Sequence, residues 1–322
     1  MSFFSILLAL MIEQARPLAR GNAVHAGMRG WLRWVVRKLD AGEHPHGWLA
    51  WGMAVGVPSV TAMVVYWLLL AMAGWPLAMA WNVLVLYATL GFRQFSHHFT
   101  DIRKALEAGN EEEARRLLAE WRQIDASELP QREIIRHVIE YSVLAAHRHV
   151  LGVFTWFTVL AALGCGPAGA VFYRLAEFVT RYWPYVSRRQ APTVSEAACK
   201  AAVWAWHLVD WGPTRLTALG FAIVGSFEDV MDNWRRHESR PGSAVPGSND
   251  DLLVAATAGA INVRLGTTAM ARESDLQADM STASARNEPQ QAHFRSIVGL
   301  IWRSVVMWLM LLVLLTLAHL LG

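Results

Sequence analysis

The sequence predicts an all-α, polytopic integral membrane protein, with four to five transmembrane helices, short or re-entrant helices beside them, and a cytoplasmic helical segment. Three observations predict it. The 322 residues are 54% hydrophobic and only 17% charged, whereas a soluble domain carries about 25% charged residues. Apolar runs at 48–73 and 297–320 reach the roughly 20 residues that a spanning helix needs. Trp residues stand at the ends of the first membrane hairpin, as an aromatic belt at the bilayer surface requires.

The first segment, residues 1–47, opens with MSFFSILLALMI, too short for a comfortable span. It lacks the basic n-region and the A-x-A-like cleavage site of a signal peptide, so a short retained helix ending at Glu13 is expected. Arg16 to His46 is basic and amphipathic, with Arg29, Arg33 and Arg37 interleaved among Trp31, Leu32, Trp34, Val35 and Val36. That pattern fits a helix lying in the bilayer interface, and equally one whose apolar face packs on the rest of the protein.

Residues 48–92 form a transmembrane hairpin that turns at Gly74-Trp75-Pro76. Pro58 inside the first arm is tolerable if a neighbouring helix satisfies the carbonyl it frees. Residues 93–148 read as a cytoplasmic helical segment. Gly109-Asn110 is a stop between two helices, and Glu111, Glu112 and Glu113 open the second, where acids complement the helix dipole.

Pro130 to Phe157 is the organising stretch. It begins charged, ends apolar, and contains no Gly or Pro between Pro130 and Gly152. Pro130 suits a first turn, and Ser127 or Glu128 is placed to cap it. One helix would carry the chain from water into the bilayer, with His147, Arg148 and His149 at the boundary, and a functional site is expected there.

Residues 149–226 hold a second membrane hairpin, turning at Gly164-Cys165-Gly166-Pro167, and a re-entrant helix. Tyr173, Arg174, Glu177, Thr180 and Arg181 make a polar stripe that must face protein or a wet cavity. His207 and Asp210 share a helical face, with Pro213 and Arg215 beyond them. Residues 227–296 comprise a loop rich in Ser, Gly, Pro and charge, a small-residue helix near 251–267, and a polar stretch at 268–294. Residues 297–322 are the C-terminal transmembrane helix. Lys and Arg near the span ends put 13–47 and 93–148 on the cytoplasmic side of a multi-pass membrane protein.

Charge and cysteine usage narrow the partners. A net charge of +3 and a pI near 9.1 suit anionic lipid better than nucleic acid, which calls for a dense basic stripe. Cys165 and Cys199 lack metal-type spacing and read as small buried residues, and His44-Pro45-His46 is too little for a metal, so no metal site is expected. The lipid bilayer is the expected partner, with an anionic ligand and a homo-oligomer left open.

Several stretches resemble, in order, the cobinamide-phosphate synthase (CobD/CbiB) superfamily. They include ALEAGNEEEARRLLAEW, His147 to Gly152, Gly166-Pro167 with Tyr173-Arg174, His207-Leu208-Val209-Asp210-Trp211-Gly212-Pro213-Thr214-Arg215-Leu216, and Asn249 followed by Ala258-Gly259-Ala260 and Val263-Arg264-Leu265-Gly266. The His207–Leu216 segment is similar to its AmpE-like regulatory branch. Carboxylates that the synthases carry at membrane entry, after the second hairpin and before P-x-R-L are mostly missing here, although Glu140, Glu177 and Asp210 stand nearby. Amide formation with ATP calls for acids that hold Mg²⁺ on the phosphates. The resemblance therefore implies a non-catalytic regulatory or signalling modulator with a degenerate site. It implies a bacterial inner (plasma) membrane protein whose anionic or corrinoid-type ligand would be bound by His147, Arg148, His149, Tyr173, Arg174, His207, Arg215 and Asn249. The alternative is an ATP-dependent amide ligase of cobalamin biosynthesis (adenosylcobinamide-phosphate synthase type), using Mg-ATP, with Glu140, Glu177 and Asp210 as its catalytic acids.

Overall fold

The protein is described by a computed structural model covering residues 2–16, 23–189, 194–239, 245, 247–266 and 287–321. Among the described residues the architecture is helical, and the one β feature is an isolated parallel bridge between Val263 and Asn287. In chain order the helices are α1 (Ser2–Ala15), α2 (Ala23–Leu39), α3 (His44–Ala73), α4 (Trp75–Thr89), α5 (Phe92–Glu107), α6 (Glu111–Arg122) and α7 (Gln131–Ala146). A π-helical turn, His147–Leu151, follows, and then α8 (Gly152–Ala162), α9 (Ala168–Arg189), α10 (Glu196–Val224), α11 (Phe227–Glu238), α12 (Ser248–Ala260) and α13 (His293–Leu321). Three helical stretches are long and apolar enough to cross a membrane: His44–Ala73, Gln131–Ala162 and His293–Ala318. Phe3–Ala15 and Trp75–Thr89 are shorter apolar helices.

The contacts divide the chain into two units, one of Met1–Phe92, Arg148–Pro213 and Leu312–Gly322, the other of Arg93–His147 and Thr214–Leu311. In the first, α9 packs against α3, α4 and α8, while α1 lies on α4 and α2 on α3. Its core includes Trp183, Tyr173, Phe154, Phe157, Ile6, Leu32 and Leu86. Leu32, Val35 and Val36 are buried, so the apolar face of α2 packs on protein, while Arg33 and Arg37 remain exposed. The expected turn at residues 74–76 contracts to Gly74, whose φ of 77° lies in the region glycine enters without penalty. Pro76 then occupies the first turn of α4, where a missing N–H costs nothing.

Pro58, Pro184 and Pro213 lie inside long helices, and the first and last of them are accommodated by one device. A helical proline leaves the carbonyl four residues earlier without its N–H partner. For Pro58 that carbonyl belongs to Ala54, and it accepts the indole N–H of Trp31 at 3.1 Å. For Pro213 it belongs to Val209, and it accepts the indole N–H of Trp156 at 3.0 Å. The expectation that a neighbouring helix satisfies Pro58 thus holds, with Trp as the donor.

In the second unit, α7 packs against α6 and α12, and α11 against α12. Ile134, Ile135, Val138 and Ile139 give α7 its buried stripe, and Phe99 meets Phe294 edge to face at 5.3 Å. Asn110 ends the gap between α5 and α6 as expected, its side chain accepting the Glu113 N–H at 3.1 Å. Small residues let α12 approach α11 closely. A Cβ at Gly259 would stand 2.7 Å from the Asp229 backbone.

Three local expectations are corrected. Pro130 itself is the N-cap of α7, without a side-chain bond from Ser127 or Glu128, because its extended φ and ψ already turn the chain into the helix. Residues 227–238, expected as loop, form α11, a short helix with Glu228 and Asp229 in its first turn and Arg235, Arg236 and His237 in its last. That charge order favours the helix dipole and outweighs the polar composition. The arm expected at 168–183 continues through Pro184 to Arg189. Most of the polar stretch at 268–294 lies outside the described residues.

Candidate functional site

The first unit gathers charged side chains in an apolar interior. Arg174 and Glu177 lie one turn apart on α9, and Arg174 Nη1 donates to Glu177 Oε2 at 2.7 Å. One turn further, Arg181 donates to the same oxygen at 3.0 Å and brings its Nε within 2.5 Å of Oε1. The i,i+3 and i,i+4 spacing places all three on one face, and the side chain of Glu177 is only 2% exposed. Such a charge persists in an interior only when it is both paired and hydrogen-bonded.

Beside this pair, the Tyr173 hydroxyl donates to Asp210 Oδ1 at 2.7 Å, and both residues are fully buried. Tyr173 reaches Asp210 across Gly152, where an added Cβ would fall 2.1 Å from the phenol oxygen. Glycine at 152 is therefore a requirement of the tyrosine's path. Trp206 packs on the Tyr173 ring at 5.1 Å, and His207, also buried, stands edge-on to Trp204. His149 and Arg148 come from the π-turn and lie within electrostatic reach of Glu177. A π-turn adds a residue to the helical repeat and re-aims the side chains after it, and such turns are frequent at functional sites.

Arg148, Arg174 and Arg181 thus stand against Glu177 and Asp210, which makes the first-unit cluster cationic. Glu177 is spent on two arginines and one oxygen of Asp210 on a tyrosine. Among the described residues no group of three His, Cys, Asp or Glu side chains converges as a metal cage. Cationic guanidinium groups with geometry suited to phosphate or carboxylate are what the cluster offers.

The remaining expected site residues belong to the second unit. His147 is buried there, with Nδ1 2.9 Å from the Thr217 hydroxyl and Nε2 3.4 Å from that of Thr214. Arg215 lies 3.5 Å from Glu238, and Asn249 is buried in the first turn of α12. Glu140 Oε1 accepts the Gly266 N–H at 2.8 Å, while Arg136 donates to the Gly266 carbonyl and pairs with Glu133. Arg132 reaches Glu288 at 2.8 Å, and the Arg264 N–H bonds the Asn287 carbonyl at 3.0 Å. The charged face of α7 thereby holds the chain on both sides of residues 267–286. Arg132 and Arg136 were missed in the sequence, although their four-residue spacing on the polar face of α7 was visible.

Comparison with known proteins places these residues in a family. The chain matches the CobD/Cbib protein family over residues 3–301. It is similar to the cobalamin biosynthesis protein CobD of Stutzerimonas stutzeri, 28% identical over 274 residues that cover 84% of this chain and 82% of the relative. The protein of the same name from Chromobacterium violaceum is 30% identical over 184 residues, 57% of this chain and 54% of the relative. That from Leptospira interrogans (serovar copenhageni) is 26% identical over 201 residues, 60% of this chain and 58% of the relative. No solved structure matches. These relatives are named for cobalamin biosynthesis, which overturns the expectation of a non-catalytic regulatory modulator drawn from the missing carboxylates. The match over residues 3–301 makes the chain a member of the CobD/Cbib family.

Proposed function

We propose that this protein is a membrane-bound enzyme of cobalamin assembly in the bacterial plasma membrane, joining a carboxylate of a corrinoid to a primary amine as an amide. The observation that carries the reading is the coincidence of the family match with a buried, charged helix face. A charge inside an apolar helical interior is retained at a cost, and its ordinary use is function. In this reaction class ATP converts the carboxylate to an acyl phosphate with release of ADP. The amine nitrogen then attacks the acyl carbon, phosphate leaves, and the amine gives up a proton.

In this reading the arginines do the binding. Arg174 and Arg181, fixed by Glu177, and Arg148 beside them offer forked N–H donors to a phosphate or carboxylate. Tyr173 and Asp210 form a hydrogen-bonded pair next to them, able to orient a polar group. The carboxylates do not fit a bare Mg²⁺, since Glu177 and Asp210 are already engaged, and no step here runs through a metal held by the protein.

The test is amide formation by the full chain in nanodiscs, supplied with a corrinoid acid, aminopropanol phosphate and Mg-ATP, read by mass spectrometry. Product dependent on both ATP and protein is expected. No product, with an authentic synthase active in parallel, overturns the proposal.

A further inference from the structure

A second feature of the first unit borders that cluster and shares Arg174 with it. Helices α2, α3, α4 and α9 line a half-open cavity of about 600 Å³, within the roughly 300–1,000 Å³ of small-ligand pockets. Trp31 and Trp81 line it, each anchored through its indole N–H to a carbonyl of α3, Ala54 and Ala62 respectively. Thr61 and Thr89 also line it, but their hydroxyls turn back to carbonyls of their own helices. The walls are therefore apolar apart from Arg174 and His25, which lie within electrostatic reach of each other.

Arg174 commits one of its five N–H donors to Glu177, and no other hydrogen bond to a described residue takes the rest. An apolar cavity with a guanidinium in its wall suits an amphipathic anion. The wall helix α2 also carries Arg29, Arg33 and Arg37, a basic series of the kind that draws an anionic bilayer surface.

We propose that this cavity is a binding site for an anionic phospholipid, its acyl chain between Trp31 and Trp81 and its phosphate at Arg174 and His25. The experiment is native mass spectrometry of the delipidated full chain in neutral detergent, titrated with phosphatidylglycerol, phosphatidylcholine or inorganic phosphate. Phosphatidylglycerol is expected to bind saturably and at least about fivefold more tightly than phosphatidylcholine, the scale of one cation at a headgroup. Inorganic phosphate alone should not bind measurably.

Gly27 lines the same cavity, and a Cβ added there meets no atom within 4 Å. Gly27→Phe should therefore obstruct the cavity and weaken the phosphatidylglycerol binding, while Gly27→Ala retains it. Equal binding of the two lipids, saturable binding of inorganic phosphate, or undiminished lipid binding by Gly27→Phe would each overturn the proposal.

Discussion

The Arg–Glu pairs on α6 and those on α9 have the same chemistry and the same helical spacing, yet they do different things. On α6, Arg115 meets Glu111 and Arg116 meets Glu113, with side chains between 27% and 65% exposed. There water screens the charges and long side chains lose freedom on pairing, so each pair contributes little. On α9, Arg174 and Glu177 are 11% and 2% exposed. Each charge there depends on the other, because water is not available to replace a lost partner. Burial, not sequence spacing, separates a solvated helix face from a site.

The sharpest way to test that contrast is to remove the same functional group in both places. Glu177→Gln leaves two arginines facing a neutral amide and should destabilise the protein by about 3–5 kcal/mol, measured by thermal unfolding in detergent. Glu113→Gln is the control. Arg116 holds the Glu113 carboxyl below the usual carboxylate range. Its small contribution is therefore present above that range and lost as pH falls through it. The Tm of Glu113→Gln at neutral pH should stay within about 1 °C of the parent. Equal losses from the two substitutions would break the comparison.

Two further substitutions probe the packing that shapes the buried side. Gly152→Ala should cost about 1–3 kcal/mol by pushing Tyr173 off its path to Asp210. Trp156→Phe should cost about 1–3 kcal/mol, because it orphans the Val209 carbonyl that Pro213 already deprives of a helical partner. Adding Pro213→Ala restores a backbone donor to that carbonyl, so the loss from Trp156→Phe should shrink in the double variant. An unchanged loss would show that the indole acts by packing alone.

Local chemistry made much of this legible in the sequence. Gly109-Asn110 marked a helix stop, Gly74 and Pro76 marked a turn, and the long apolar runs marked α3 and α13. The polar stripe Tyr173, Arg174, Glu177 and Arg181 was visible because 3.6-residue periodicity sets it on one face of an apolar helix. What the sequence did not show was long-range pairing. Trp31 with Ala54 and Trp156 with Val209 follow from helix packing, not from neighbours in the chain. Nor does composition reveal the π-turn at His147–Leu151, a local register change in an otherwise helical pattern. The regulatory reading erred for a related reason. It counted the carboxylates missing from the synthase pattern, whereas the family match over residues 3–301 draws on the whole length of the chain.

The central claim is that the buried cluster of the first unit is a reaction site, not only a polar contact between helices. Replacing Arg174 and Glu177 together by Met and Leu removes both charges while keeping volume, an exchange that is near neutral for stability. Arg181, with its side chain 48% exposed, can turn to water. The decisive measurement is the rate of amide formation by this double variant in nanodiscs, with its Tm measured alongside. A Tm near that of the parent with the rate lost at least about a hundredfold, the scale of a misplaced or missing substrate contact, is the predicted result. Retention of the parent's rate would contradict the account and reduce the cluster to a structural contact.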